Sequence, residues 1–153
     1  MKFIFKIFTF TFFLMGQMSN SQAAVTGSAD DAVAMVKRAV AYIGAKGKDE
    51  AFKQFNDASG AYIDRDLYIA VIDAKGVMVA HGANPRIIGK AVMEMKDADG
   101  KLFIQALVDT AQKKGSGWVD YKWPNPVTKA IESKSTYVEK AGNFTVACGI
   151  YKK

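Results

Sequence analysis

A short aromatic segment carries the clearest binding chemistry in this sequence of 153 residues. Residues 117–126 read Gly-Trp-Val-Asp-Tyr-Lys-Trp-Pro-Asn-Pro, and alternation along a strand places Tyr121 and Trp123 on one face. The two prolines end the strand, because proline cannot donate to a strand ladder. Tyr121 and Trp123 present a hydroxyl, an indole N–H and two flat apolar surfaces, which suit a small polar molecule. The alternative is a pair of ordinary core aromatics.

Other kinds of chemistry are poorly represented in the sequence. There is one histidine and one cysteine, so a transition-metal site lacks ligands and no cofactor is expected. Cys148 lies in the apolar stretch 144–151, which predicts a buried, inert thiol. His81, Asp73 and Asp120 form no arrangement that the sequence alone brings together for acid–base catalysis. We therefore expect no enzyme.

The N-terminal segment has the features of a secretory signal. An apolar run over residues 3–15, flanked by lysines, is too short to span a membrane, and residues 21–23 have the small side chains of a cleavage site. We predict a signal peptide over residues 1–23 and a single domain over residues 24–153, outside the cytoplasm and with no membrane insertion after cleavage. The basic residues are spread without a cluster, so we expect no nucleic-acid binding.

Two helices are predicted at the start of this domain. Ser28 has the character of an N-cap, and apolar residues then recur at helical spacing until Gly44 and Gly47. A second, shorter helix follows Asp49 and ends near Gly60. Because no strand separates the two helices, we expect both to pack on one face of the sheet that follows.

The remaining residues predict a sheet whose strands are separated by a loop and a helix. The expected strands span residues 67–73, 77–81, 117–123, 133–139 and 144–151. Residues 82–90 read as a loop, 91–95 as a short helix, and Asp99 as the N-cap of a clearer helix that ends at Gly115. This order of elements predicts one α+β domain with an antiparallel sheet.

Several blocks of the sequence resemble the signature of single Cache domains of the second type, the extracytoplasmic PAS-like sensor modules of bacterial chemoreceptors and histidine kinases. These blocks, in the order and spacing of that family, are residues 67–76, 81–85, 88–90, 97–101, 117–126 and 134–138. The resemblance implies a five-stranded antiparallel sheet with a long N-terminal helix on one face. The other face would hold a pocket under a loop and short helices, often for a short carboxylate.

The resemblance also implies which residues line that pocket. The predicted ligand-binding residues are Tyr68, His81, Tyr121, Trp123 and Lys134. The ammonium of Lys134 would pair with a carboxylate, a strong charge-assisted bond, although a solvated lysine is the commoner fate of this residue type. If His81 lines the pocket, its charge would change near neutral pH and make ligand affinity pH-dependent. Tyr68 has an equally plausible role in the core, and Arg86 is a weaker candidate for an anion contact.

Two functional hypotheses remain open at this stage. Such domains usually lie between two membrane spans, whereas this sequence ends at Lys153 without a second span or an effector. We therefore expect a stand-alone bacterial domain, periplasmic or secreted, that binds a small organic anion and signals through a partner such as a membrane receptor or kinase. The alternative is a ligand-free interaction module that acts on a membrane receptor or another periplasmic protein.

Overall fold

The computed structural model describes residues 26–152, so the predicted signal peptide lies outside the described residues. Its α-helices are α1 (Ala29–Lys46), α2 (Lys48–Phe55) and α3 (Phe103–Lys114), and a short 3-10 helix spans Pro85–Ile87. The strands are β1 (Ile63–Asp64), β2 (Leu67–Tyr68), β3 (Ala70–Asp73), β4 (Met78–His81), β5 (Ser116–Pro124), β6 (Ile131–Ala141) and β7 (Phe144–Tyr151). Within this part of the chain, none of the helices combines the length and the apolar character that crossing a bilayer requires.

The N-terminal helix α1 begins where the sequence predicts. The Ser28 hydroxyl accepts a hydrogen bond from the Asp31 N–H at 3.1 Å, and the Asp31 carboxylate accepts one from the Ser28 N–H at 3.0 Å. This reciprocal capping box satisfies two N–H groups that a helix end otherwise leaves unpaired. The helix runs through Gly44 and ends at Gly47, and it buries one apolar stripe that includes Val36.

The main sheet has five strands in the order β4-β3-β7-β6-β5, and every neighbouring pair is antiparallel. Strands β1 and β2 form a separate two-stranded sheet. Helices α1 and α2 pack on one face of the main sheet, over Val71, Val146 and Cys148. Helix α3 packs on the other face, over Ile72 and Ala147. The predicted α+β class and the antiparallel sheet are therefore confirmed.

Four local predictions are wrong. The second helix ends at Phe55 instead of near Gly60, and the strand predicted over residues 67–73 is divided between β2, in the two-stranded sheet, and β3, in the main sheet. The other two lie in the segment between β4 and α3. Residues 91–95 form turns instead of a helix, because the Val92 N–H bonds the Gly76 carbonyl and ties this segment to the β3–β4 turn. Asp99 does not cap α3, which begins at Phe103. The carboxylate of Asp97 accepts hydrogen bonds from the N–H groups of Asp99 and Lys101, so these residues form a turn before the helix.

Removing the α1 cap should lower stability. We expect Ser28→Ala to lower the free energy of unfolding by ~1 kcal/mol, because the Asp31 N–H loses its acceptor. Chemical denaturation measures this change. The control is Ser133→Ala, since the exposed Ser133 hydroxyl makes no side-chain hydrogen bond within residues 26–152 and should change stability by less than ~0.5 kcal/mol. Equal effects of the two substitutions would contradict the capping role.

Candidate ligand-binding site

A small cavity lies between the α3 face of the sheet and the segment that joins β4 to α3. Its apolar walls include Ile72, Met78, Ile87, Met95, Phe103 and Leu107. The space open to the centre of a water molecule is about 30 Å³. One water needs about 10–15 Å³ on this measure, so the cavity has room for a molecule of only a few heavy atoms.

One row of cross-strand neighbours contributes Tyr121 and Lys134 to the polar lining of this cavity, and Tyr151 lies beside Lys134 in the same row. Tyr121 on β5 pairs with Lys134 on β6, and Lys134 pairs with Tyr151 on β7. Directly opposed residues of an antiparallel pair project from the same face, so these three side chains lie side by side. Thr136 lies two residues after Lys134 on β6, so its side chain projects from the same face and also lines the cavity.

Lys134 is a buried cation surrounded by aromatic rings. Its side chain belongs to a residue that is 2% exposed, and Nζ donates to the hydroxyl oxygens of Tyr68 at 2.6 Å and Tyr151 at 3.2 Å. Nζ also lies 4.1 Å from the ring centroid of Tyr68 and 4.6 Å from that of Tyr151. These are favourable cation–π distances. Among residues 26–152, no carboxylate forms a salt bridge with Lys134.

Burial makes the charge of Lys134 costly. Loss of hydration lowers the pKa of this ammonium from its ordinary value of 10.5 to about 7, although the negative charge of Asp66 opposes the shift. Tyrosine hydroxyls and ring faces compensate only part of the lost hydration, because neither carries a full negative charge. Lys134 is therefore the group in this cavity whose protonation changes near neutral pH.

His81 lines the cavity as a neutral hydrogen-bond donor. Its Nδ1 accepts from the backbone N–H groups of Ala83 at 3.3 Å and Asn84 at 2.9 Å, so the ring proton resides on Nε2. Burial, and then the charge of Lys134, lower the pKa of His81 to about 3. The expectation that His81 changes charge near neutral pH is therefore wrong.

The aromatic residues of β5 form one side wall. The ring of Tyr121 stacks on Phe103 with centroids 4.4 Å apart and an interplanar angle of 18°, and the Trp123 ring lies 5.0 Å from Phe103. The Tyr121 hydroxyl and Thr136 Oγ1 are 2.9 Å apart. Burial raises the pKa of Tyr121 far above its ordinary value, so its hydroxyl stays protonated. Helix α3 thus fixes both aromatic side chains through its first residue.

The structure places the five sequence-predicted residues around one cavity. They are Tyr68, His81, Tyr121, Trp123 and Lys134. His81 and Lys134, which come from distant parts of the chain, both contact the ring of Tyr68. Arg86 is exposed and is not among the lining residues. Ligand binding by the five residues remains a prediction.

A β-bulge brings His81 into the cavity. Ala70 pairs with His81 and Val71 with Ala80, but Ile72 pairs with Met78, so β4 contains one extra residue at this point. Met78 and His81 are three residues apart and would face opposite sides in a regular strand. Because of the bulge, both line the cavity.

Sequence reasoning missed Gly149, which makes room for the buried lysine. A Cβ atom at this position would overlap Lys134 Cε and Thr136 Oγ1. Tyr151, the second partner of the ammonium, was also missed, although it lies two residues further along β7 on the same face. A prediction of the register between β6 and β7 would have placed both residues next to Lys134.

Adding a methyl group at Gly149 should disturb the site. We expect Gly149→Ala to lower the free energy of unfolding by ~1–3 kcal/mol, because the methyl group displaces Lys134 and Thr136. Gly44→Ala is the matched control: position 44 lies inside α1 with no atom within 4 Å of an added Cβ. This control should raise stability by ~0.5–1 kcal/mol. Denaturant unfolding measures both, and a stabilising Gly149→Ala would refute the close packing.

The depressed pKa of Lys134 predicts how stability depends on pH. Between pH of about 7 and 10.5 the unfolded state keeps a proton that the folded state has lost, so stability rises with pH in this window. Relative to Lys134→Met, the wild type should gain on the order of 5 kcal/mol across the window, or about 1.4 kcal/mol per pH unit. Urea denaturation of both proteins at several pH values measures the difference. A difference that does not vary with pH would contradict the shift, and Lys140→Met on the same strand is an exposed-lysine control.

Two relatives of known class match part of the chain. Methyl-accepting chemotaxis protein McpP of Pseudomonas putida is 28% identical over 90 residues, which cover 58% of this chain and 16% of that protein. Sensor histidine kinase MctS of Rhizobium johnstonii is 33% identical over 107 residues, which cover 67% of this chain and 23% of that protein. The chain therefore spans less than a quarter of the length of either relative.

Solved structures share the fold. A methyl-accepting chemotaxis protein from Vibrio parahaemolyticus aligns with a TM-score of 0.70 at 23% identity, covering 80% of this chain and 86% of that one. A periplasmic sensor domain of a chemotaxis protein aligns with a TM-score of 0.65 at 27% identity, covering 81% and 90%. A structure described as the basis for carboxylic acid recognition by a Cache chemosensory domain aligns with a TM-score of 0.63 at 23% identity, covering 78% and 85%.

A family model, that of single Cache domain 2, matches residues 14–153. The match begins within the segment predicted to be a signal peptide, so the boundary at residue 23 remains a prediction. The match contains all the described residues, and it confirms the resemblance carried by the sequence blocks. The protein therefore belongs to the single Cache domain 2 family of extracytoplasmic sensor domains.

Proposed function

We propose that this domain senses a small organic anion, such as a short carboxylate, bound in the cavity beside Lys134. The observation that carries this proposal is a buried ammonium whose protein partners are neutral hydroxyls and ring faces. A depression of the pKa to about 7 corresponds to a free-energy cost on the order of 5 kcal/mol for the charged form. A ligand carboxylate would offset much of this cost, because charge-assisted hydrogen bonds are strong in a desolvated site.

The size and polarity of the cavity narrow the class of ligand. A space of about 30 Å³ suits an anion of a few heavy atoms. The walls formed by Ile87, Met95 and Leu107 provide no partner for a second charge, so a monocarboxylate with a short apolar tail fits better than a dicarboxylate.

Neutral donors surround the position proposed for the carboxylate. His81 carries its ring proton on Nε2, and Nε2 donates to no acceptor within residues 26–152. The hydroxyls of Tyr121 and Tyr68, which line the same cavity, are further donors. Together with Lys134 these groups could satisfy both oxygens of a carboxylate, which accept up to about four hydrogen bonds.

The relatives support a signalling role through a partner. McpP is a chemotaxis receptor and MctS a sensor kinase, and a structural neighbour is described as recognising a carboxylic acid. We propose that the domain over residues 24–153 acts in the periplasm or as a secreted protein after removal of residues 1–23. Its bound and free states would be read by a membrane receptor or kinase.

A thermal-shift titration with short carboxylates tests the proposal. Acetate or propionate should raise the melting temperature, because a ligand that binds only the folded state stabilises it. Trp123→Ala should weaken the binding about tenfold, the effect of removing an aromatic anchor worth a kcal/mol or more. Trp118→Ala is the matched control, since Trp118 lies on the same strand, is 40% exposed and faces away from the cavity. Absence of a shift with every carboxylate would favour the interaction-module hypothesis.

The pH dependence of binding tests the role of Lys134. Carboxylate affinity should be constant below pH of about 7 and fall about tenfold per pH unit above it, because the ligand selects the protonated amine. A titration by calorimetry at several pH values measures this, and binding above neutral pH should take up a proton. Affinity that is independent of pH up to pH of about 9 would exclude Lys134 as the partner of the anion.

A further inference from the structure

We propose that Lys134 also captures small carbonyl compounds covalently, as a reversible imine formed inside the cavity. The inference rests on the proposed function only in that the carbonyl compound enters the same cavity. A short aldehyde or 2-oxo acid has the required size and an electrophilic carbon. The reaction requires that the lone pair of the Lys134 amine is not occupied by a hydrogen bond.

The hydrogen-bond partners of Lys134 suit a neutral amine as well as an ammonium. The Tyr151 hydroxyl donates its proton to the Pro124 carbonyl at 2.8 Å, so its oxygen is left to accept an N–H of Lys134. The Tyr68 oxygen, at 2.6 Å, takes a second N–H. The remaining tetrahedral position on Nζ has no partner within residues 26–152. In the neutral amine this position holds the nucleophilic lone pair.

The surroundings of Lys134 shift its equilibrium from the ammonium toward the neutral amine. Lys134 is 2% exposed, it lines a mostly apolar cavity, and no carboxylate in the described part of the chain pairs with it. Desolvation in an apolar pocket is one of the ways in which proteins make a lysine nucleophilic. The pKa of about 7 agrees with this geometry and leaves a substantial neutral fraction at neutral pH.

The proposed reaction needs no oxidant or reductant. The Nζ lone pair forms the C–N bond while the carbonyl π electrons move to oxygen; nitrogen loses a proton and oxygen gains one, giving a carbinolamine. A second proton, taken up from solvent, then adds to the carbinolamine hydroxyl. The nitrogen lone pair forms the C=N bond as this oxygen leaves as water, which gives a positively charged iminium. The Tyr68 hydroxyl lies close enough to Nζ to relay a proton, and burial keeps its pKa well above the ordinary value.

The cavity can also hold the rest of a 2-oxo acid. The iminium retains the positive charge at the position of the ammonium, so the rings of Tyr68 and Tyr151 continue to face a cation. The adjacent carboxylate would accept hydrogen bonds from His81 Nε2–H and the Tyr121 hydroxyl. Both residues line the same cavity as Lys134.

Reductive trapping with glyoxylate and cyanoborohydride tests the inference on the purified protein. After brief treatment at neutral pH, peptide mass mapping should show Lys134 modified at least ~10-fold faster than Lys140, because its neutral fraction is far larger. Lys140 is an exposed lysine on the same strand and serves as an internal control. Tyr68→Phe should slow the labelling of Lys134 several-fold and leave that of Lys140 unchanged.

The outcomes separate this inference from the proposed function. Labelling of Lys134 no faster than that of Lys140 would overturn covalent capture, whereas a melting-temperature shift with acetate in the same sample would still support anion binding. Selective labelling without any carboxylate shift would support capture and reject the proposed function. Loss of the selective adduct in Lys134→Met, with the Lys140 adduct retained, would confirm the site.

Discussion

The free energy of keeping one ammonium inside an apolar sheet constrains the rest of this domain. Lys134 lies in the middle of the cross-strand row Tyr121, Lys134, Tyr151. Lysine side chains normally reach water, but this one is buried. Two tyrosine rings surround Nζ, and Gly149 has no side chain, which leaves room for the lysine. Burying the ammonium still costs stability, so we connect its presence with the proposed binding of an anion. A replacement by a packed apolar residue would give a simpler core, because buried charges seldom stabilise a fold by themselves.

The two faces of the sheet differ in packing: one holds a close-packed core, and the other holds the cavity proposed to bind the ligand. On the α1 side, small and β-branched residues such as Val71 and Val146 pack tightly against the helix. On the α3 side the same strands carry the cavity, and α3 covers it with Phe103 at its first turn. A ligand that contacts Phe103 therefore contacts the start of a helix.

Sequence reasoning predicted the features that depend on short-range patterns. Alternation placed Tyr121 and Trp123 on one face, and Ser28 was found because capping needs only residues 28–31. It failed where contacts between distant segments determine the local structure. Asp99 lies in a turn held by the Asp97 carboxylate, so α3 begins only at Phe103, and residues 91–95 are tied to Gly76 by the Val92 N–H. The bulge beside His81 and the space beside Gly149 depend on strand register, which a single sequence does not reveal.

The exchange of roles between His81 and Lys134 shows how a buried environment alters simple chemical expectations. In water the histidine would titrate near neutral pH and the lysine would stay charged. Here two backbone N–H groups occupy Nδ1 of His81, and the nearby cation disfavours a second positive charge. The histidine becomes a fixed donor, and the lysine becomes the titrating group. In the two proposals made above, an anion stabilises the protonated lysine and a carbonyl compound reacts with the neutral one, so the protonation state of Lys134 would decide which class of ligand the cavity favours at a given pH.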